Sequence, residues 1–408
     1  MSGSKNAALP EMAAALLTTE RVTLHNVPRV TDTAVMGEIM AELGGQAEGD
    51  GTVTLDTGAA VRSDVPAELG SRMRATIVLL GALLGRFGKA RLPRPGGDDI
   101  GARRVEQHLR GLRQMGAHIN ETEHEIVAAA ERLHGDRIVF DLPTVTGTEN
   151  ILLAAVMAEG RTEIFNAARE PHVQDLCRLL TRMGVSIEGI GSNVLIITGC
   201  NELRGCTHRI GADHIEVASF IGLAAVTGGD LRIEDAAVEH LRAIRHSFRR
   251  LGVEIEVDGT SVRVPPNQEL VIVDDIHDQV PKIDDGPWPM FPADLTSIAV
   301  ALATQARGTV LIFEKMFENR LVFTDKLVSM GARIILCDPH RAVVNGPSRL
   351  YGYRMESPDI RAGMAMLMAA LCAEGTSRIG NVGQIDRGYE RIDERLRELG
   401  AQIERVEA

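Results

Sequence analysis

Apolar positions along the chain fall into two alternating helical patterns. Over residues 107–115, 175–183, 241–251, 322–330 and 391–399, apolar side chains recur every three or four positions between charged ones. That spacing predicts surface helices with one buried stripe. Over 75–87, 150–159, 215–227, 295–307 and 361–374, apolar residues cover nearly the whole circumference. A helix with no polar face to give to water belongs inside.

Each pattern stops at glycine, the residue that most readily takes positive φ at a helix C-terminus. The amphipathic segments end in Leu43-Gly44, Met115-Gly116, Met183-Gly184, Leu251-Gly252, Met330-Gly331 and Leu399-Gly400, roughly 70 residues apart. The apolar segments end at Gly88, Gly160, Gly228, Gly308 and Gly375. Stretches such as Val253-Glu254-Ile255-Glu256-Val257 and Gly308-Thr309-Val310-Leu311-Ile312 follow, so a strand is expected after each helix. A period sustained along the whole chain predicts repeated copies of one unit. The predicted fold class is α/β: two inside-out domains of three units each, with buried helices, around a central cleft. The expected domains are 1–211, which carries a glycine-rich loop at 93–104, and 212–408.

A chain of 408 residues with 44% hydrophobic content can bury two cores. Its net charge of −12, with no long Lys/Arg run, argues against nucleic acid or an anionic membrane as partner. An anionic ligand must then be held by local arginines against the global field. Five cysteines without a CxxC pair fit reduced thiols, and no apolar run reaches membrane-spanning length, so no membrane insertion and a cytoplasmic location are expected. The histidines show no paired ligand spacing, so no metal is expected.

The chemistry concentrates at Pro95-Gly96-Gly97-Asp98-Asp99-Ile100-Gly101-Ala102-Arg103-Arg104, where glycines allow close approach of backbone to a ligand beside carboxylates and guanidiniums. Taken alone, the loop is equally a tight turn with solvated charges. Ser2-Gly3-Ser4-Lys5-Asn6 precedes a helix whose first turn is expected to accommodate Pro10, and a lysine at such a terminus can hold phosphate. Asp294 stands at the start of the 295–307 helix, where capping is an ordinary role. The Asp/Arg pairs in Asp359-Ile360-Arg361 and Asp386-Arg387-Gly388-Tyr389-Glu390-Arg391 read individually as surface salt bridges.

Taken together and in order, these motifs, with Asn166-Ala167-Ala168-Arg169-Glu170-Pro171, Phe291-Pro292-Ala293-Asp294 and Phe317-Glu318-Asn319-Arg320, resemble the UDP-N-acetylglucosamine enolpyruvyltransferases of the wider EPSP synthase family. The resemblance implies transfer of the enolpyruvyl group of phosphoenolpyruvate to the 3-hydroxyl of UDP-N-acetylglucosamine, with release of phosphate, in the first committed step of peptidoglycan synthesis. No cofactor is implied, since phosphoenolpyruvate is a co-substrate. It assigns Lys5, Arg103 and Arg387 to the anionic groups of phosphoenolpyruvate with Arg320 and Arg361 nearby, and Asp294 to deprotonation of the sugar hydroxyl. Asn6, Arg74, Thr144, Val145, Met316 and the 103–107 run, with Arg104 and Glu106, match substrate-binding positions; Glu318 and Asp359 join them from their motifs.

Several positions depart from the family pattern. Asp98 stands where many members carry the cysteine that fosfomycin alkylates, which implies insensitivity to the drug because a carboxylate is a poorer nucleophile than a thiolate. Arg104 and Glu106 replace a proline and an aspartate, Thr31 replaces a lysine, and Thr144-Val145-Thr146-Gly147-Thr148-Glu149-Asn150 is a variant. These changes keep a different nucleotide or sugar-nucleotide acceptor open, and a catalytically silent regulatory paralogue is a third reading. The short N-terminal strands that usually precede the lysine motif and pack on the C-terminal domain are expected to be absent.

Overall fold

The computed structural model describes residues 1–98, 100–101 and 103–406. Asp99 and Ala102 of the glycine-rich loop lie outside them. The chain divides into two compact units, one of Ser2–Asp98 with Arg103–Gly211, the other of Ala212 onward together with Met1, Ile100 and Gly101.

In the first unit the helices Leu79–Phe87 and Val145–Ala155 pack on each other, and Lys5–Ala14 packs against the former. Their side chains are buried almost all round, as their apolar circumference requires. Three sheets flank them. Val22–His25 pairs in parallel with Thr207–Arg209, so the end of the unit returns to its first strand. The second unit repeats the plan with His214–Thr227, Thr296–Ala303 and Ile360–Cys372 in mutual contact. Surface helices carry a narrow stripe: in Arg242–Arg250 only Ile244, Ser247 and Phe248 are buried. The inside-out α/β class thus holds in each unit, and Gly44, Gly116, Gly184, Gly252, Gly331 and Gly400 all take positive φ just beyond their helices.

Some local expectations are corrected. The 75–87 segment opens with a 3-10 helix, Arg74–Val78, before the α-helix begins at Leu79. The 150–159 and 295–307 segments leave α-helix at Ala155 and Ala303. The strand expected from Val253 starts at Glu256, because Val253 is buried and its N–H bonds back to Phe248 to close the helix end. Residues 401–406 form no strand after Leu399-Gly400, where the Arg397 side chain and the Leu396 carbonyl engage Ile403 and Ala401 instead. Pro10 is the sixth residue of its helix rather than part of the first turn, and it leaves the Asn6 carbonyl without its usual i+4 donor.

Candidate active site

In the first unit, Arg74, Arg103, Arg104 and Glu106 line one cavity of about 230 Å³ together with Arg94, Pro95, Val105 and Glu121. Arg74 opens the 3-10 helix and donates Nη2 to the Arg103 carbonyl, tying the far side of the glycine-rich loop to the buried-helix layer. Burial, reinforced by the charges of Arg103 and Arg94, pulls the Arg74 guanidinium down to about 10. Arg94 is held by Glu121 at 2.8 Å and by the Thr122 carbonyl at 3.0 Å. Four guanidiniums against two carboxylates leave this cavity positive within an acidic chain. The loop needs its glycines: a Cβ at Gly97, which has φ +108°, would lie 2.9 Å from the Arg74 Cβ.

Lys5, Asn6, Thr144, Val145 and Asp98 are not among the residues lining that cavity. Lys5 is buried at the start of its helix and pairs with Asp32 at 3.2 Å. Thr144 caps the helix Val145–Ala155 by accepting from the Gly147 N–H at 3.3 Å. Asp98 is half-buried in the loop. Beside Arg74, His108 is buried, with Nδ1 3.3 Å from Asn150 Nδ2 and Nε2 3.4 Å from Thr146 Oγ1. Burial, then the Arg74 charge, pushes its imidazole down to about 3, so it is neutral.

In the second unit the sequence candidates converge on Asp294. Its Oδ1 accepts from Arg320 Nη2 at 3.0 Å and its Oδ2 from Arg361 Nε at 3.1 Å. The helix Thr296–Ala303 has no side-chain cap, so the capping role is set aside. Both arginines are at most 5% exposed; Arg320 Nε lies 3.8 Å from Glu314 Oε2, beyond hydrogen-bond distance but within an ion pair, and Arg361 Nη1 makes no hydrogen bond. Burial opposes the Arg361 charge, but Asp294, Tyr389 and Asp213 outweigh it and hold the guanidinium above its ordinary value. Beneath Arg320 sits Glu314, fully buried, whose Oε1 accepts the Met316 and Phe317 N–H groups at 3.1 Å. Burial raises its pKa despite Arg320, and Asp285 adds to the rise.

Asp359 caps the helix Ile360–Cys372 through the Arg361 and Ala362 N–H groups, which fixes the backbone from which Arg361 projects. Arg361 also lies 5.4 Å from the centre of the Tyr389 ring, whose hydroxyl meets Ser219 at 2.9 Å. Arg387 follows the one-turn helix Gly383–Asp386 and donates to Gln384 at 2.9 Å. Ile100 accepts the Asn319 N–H at 3.1 Å, and a Cβ on Gly101 would lie 2.1 Å from Glu318 Oε2, so the loop's centre and Glu318 meet only because position 101 is glycine. Met316 is partly exposed beside them.

Asp32, Arg94, Glu121, His108 and Glu314 were not among the sequence candidates. Arg94 borders the loop in sequence and was open to detection; the others are recognisable only by their tertiary partners.

A model of the EPSP synthase family (3-phosphoshikimate 1-carboxyvinyltransferase) matches residues 1–396. The chain belongs to this family. A UDP-N-acetylglucosamine 1-carboxyvinyltransferase of Bradyrhizobium diazoefficiens is 56% identical over 407 residues, covering 99% of this chain and 94% of that protein. One from Treponema denticola is 50% identical over 405 residues, covering 99% and 95%. Among solved structures, the enolpyruvyl transferase NikO from Streptomyces tendae superposes with TM-score 0.86 at 27% identity, over 98% of this chain and 94% of that one. An EPSP synthase from Acinetobacter baumannii, 18% identical with TM-score 0.74 over 99% and 95% of the two chains, shares the fold. The expected family and enzyme class therefore stand: the chain is an enolpyruvyl transferase. No helix among the described residues is long and apolar enough to cross a membrane.

Proposed function

We propose that this enolpyruvyl transferase joins phosphoenolpyruvate to the 3-hydroxyl of UDP-N-acetylglucosamine, the acceptor in the names of its relatives, as a cytoplasmic step of peptidoglycan synthesis. The observation that carries the proposal is Asp294 held between two buried arginines, one on each carboxylate oxygen. The two ion pairs fix that carboxylate in place and favour its charged form, the form that can accept a proton.

In the proposed step, a proton adds to C3 of phosphoenolpyruvate and the sugar oxygen bonds to its C2 as Asp294 takes the hydroxyl proton. The resulting tetrahedral adduct then loses a C3 proton and expels phosphate from C2, restoring the double bond. Lys5, Arg103 and Arg387 bind the anionic groups of phosphoenolpyruvate, and Asp98 serves as the proton donor. Arg74, Arg94 and Arg104, in the cavity that Arg103 also lines, take the nucleotide diphosphate. Asn6, Thr144, Val145, Met316, Glu318 and Asp359 shape or position the acceptor site. No cofactor takes part.

A second reading, transfer to another nucleotide-linked acceptor, draws on Arg104, which lines the cavity and adds a cation where the family pattern has proline. Phosphate release from phosphoenolpyruvate, measured with UDP-N-acetylglucosamine and with other sugar nucleotides, decides between them. Release dependent on UDP-N-acetylglucosamine supports the first reading. Release with another acceptor alone supports the second, and no release with any overturns both.

A further inference from the structure

Away from the residues above, the first unit holds three buried groups on three separate elements: Glu11 of the helix Lys5–Ala14, Asp175 of the helix Pro171–Arg182 and His208 of the strand Thr207–Arg209. His208 Nε2 lies 3.2 Å from Asp175 Oδ1 and 3.7 Å from Glu11 Oε1, and one ligand atom from each residue falls within 4.8 Å of the others. Glu11 is 0% exposed, points into the cluster, and neither of its oxygens has a hydrogen-bond partner. Asp175 is oriented from behind, its Oδ2 accepting the Gly211 N–H at 2.9 Å, while its Oδ1 faces His208 and lies 3.9 Å from the Arg178 guanidinium on the solvent side.

Two carboxylates facing each other out of water require positive charge between them. A tetrahedral ion with ligand bonds of about 2.0–2.2 Å separates its ligand atoms by about 3.4 Å, which is the scale of the spacings here. Within the ligand set itself, two carboxylates, one neutral imidazole and one divalent cation sum to zero charge, with the half-exposed Arg178 guanidinium beside Asp175 left to solvent. We propose that Glu11, Asp175 and His208 bind a divalent first-row metal ion of the zinc class, as a structural clasp joining the first helix, the 171–182 helix and the strand that closes the unit. Imidazole nitrogen with carboxylate oxygen favours this class over magnesium or calcium, which prefer all-oxygen shells. No local spacing betrays such a site, because its ligands come from distant parts of the chain, and the sequence therefore gave no reason to expect a metal.

The rival occupant of the gap is a proton shared by the two carboxylates. The test uses the full chain, purified without added chelator, with metal content read by plasma mass spectrometry. Chelator-stripped protein is then titrated with Zn²⁺, and separately Mn²⁺, while its melting temperature is followed. Expected are about one bound zinc per chain and a melting temperature that rises with Zn²⁺. Glu11→Gln and His208→Gln should weaken zinc binding more than about 100-fold, since each removes a ligand outright. The parent chain decides even if a variant fails to fold: no metal after purification and no zinc-dependent shift in the stripped protein overturn the proposal. Zinc binding that persists undiminished in a folded Glu11→Gln variant overturns it as well. A Glu11→Gln variant as stable as the zinc-free parent, but deaf to zinc, supports it.

Discussion

At the scale of single residues, the environment of Asp294 sets the sharpest expectations. Asp294→Asn keeps the shape but removes the charge that two arginines orient, so turnover should fall about 100- to 10,000-fold, as for loss of a positioned base. Stability should fall too, because Arg320 and Arg361 would each lose an ionic partner in a buried setting. Steady-state kinetics beside thermal melts check both; a variant with full activity would remove Asp294 from the proposed chemistry. At Asp98 the expected outcome is the reverse of a loss. Asp98→Cys should create a thiol that fosfomycin alkylates, seen as a mass increase in the intact protein, while the parent stays unmodified and active in the drug's presence. His108 gives a pH dependence. Its folded pKa of about 3 lies below the ordinary histidine value of 6.5, so the unfolded chain takes up the proton first as pH falls. Stability from this group is present above about pH 6.5 and is lost as pH drops toward 3, at about 1.4 kcal/mol per pH unit. His214, pushed down to about 3 by burial and then by His240 and Arg361, adds a loss of the same sign. His108→Gln, which keeps a hydrogen-bonding side chain, should show a shallower fall between pH 6.5 and 4 in urea titrations; an unchanged slope would show that His108 does not carry it.

At the scale of elements, the helix–glycine period was legible because each turn of phase is set locally: apolar spacing selects the buried face and a glycine ends the helix. Asn150 shows what local pattern cannot reach. It lies in an apolar helix, yet its side chain accepts the Gly81 N–H at 2.6 Å and donates to the Ile77 carbonyl at 2.9 Å, joining two buried segments. Glu11, Asp32 and Glu314 were invisible for the same reason, since each finds its partner or its gap only in three dimensions. The Gly81 contact makes a prediction against propensity. Alanine normally stabilises a helix by about 1 kcal/mol over glycine. At position 81 its Cβ would lie 2.1 Å from the Asn150 carbonyl oxygen, so Gly81→Ala should instead destabilise by about 1–3 kcal/mol, the usual cost of overpacking. Gly184→Ala serves as the comparison. It meets nothing within 4 Å and suffers only its φ of +107°. Urea midpoints of the two variants would show whether helix packing or backbone conformation dominates.

At the scale of the whole molecule, the resemblance in motif order carried the family, while the period supplied the inside-out class without it. What neither supplied was which residues the two compact units use to hold themselves closed. The first unit is tied at its ends by Ser4, whose N–H donates to the Gly211 carbonyl at 2.9 Å, and by the parallel pairing of Val22–His25 with Thr207–Arg209. Among the described residues, the apolar cores, from Ala7 to Ile210 and from Ile215 to Leu396, share none. Each unit is of ordinary single-domain size, large enough to offset its own chain entropy. Fragments 1–211 and 212–408 should therefore fold separately. Among the described residues, cutting between Gly211 and Ala212 removes from the second unit Met1, whose amino group meets the Glu234 carbonyl at 3.1 Å, and the Ile100–Gly101 contact beside Glu318. Each fragment, expressed alone, should melt cooperatively and show near-ultraviolet circular dichroism. A fragment with helical far-ultraviolet signal but no fixed aromatic environment would mean that its core is incomplete without the rest of the chain. If zinc binds as proposed, its stabilisation should persist in fragment 1–211 and be absent from 212–408, since Glu11, Asp175 and His208 all lie in the former.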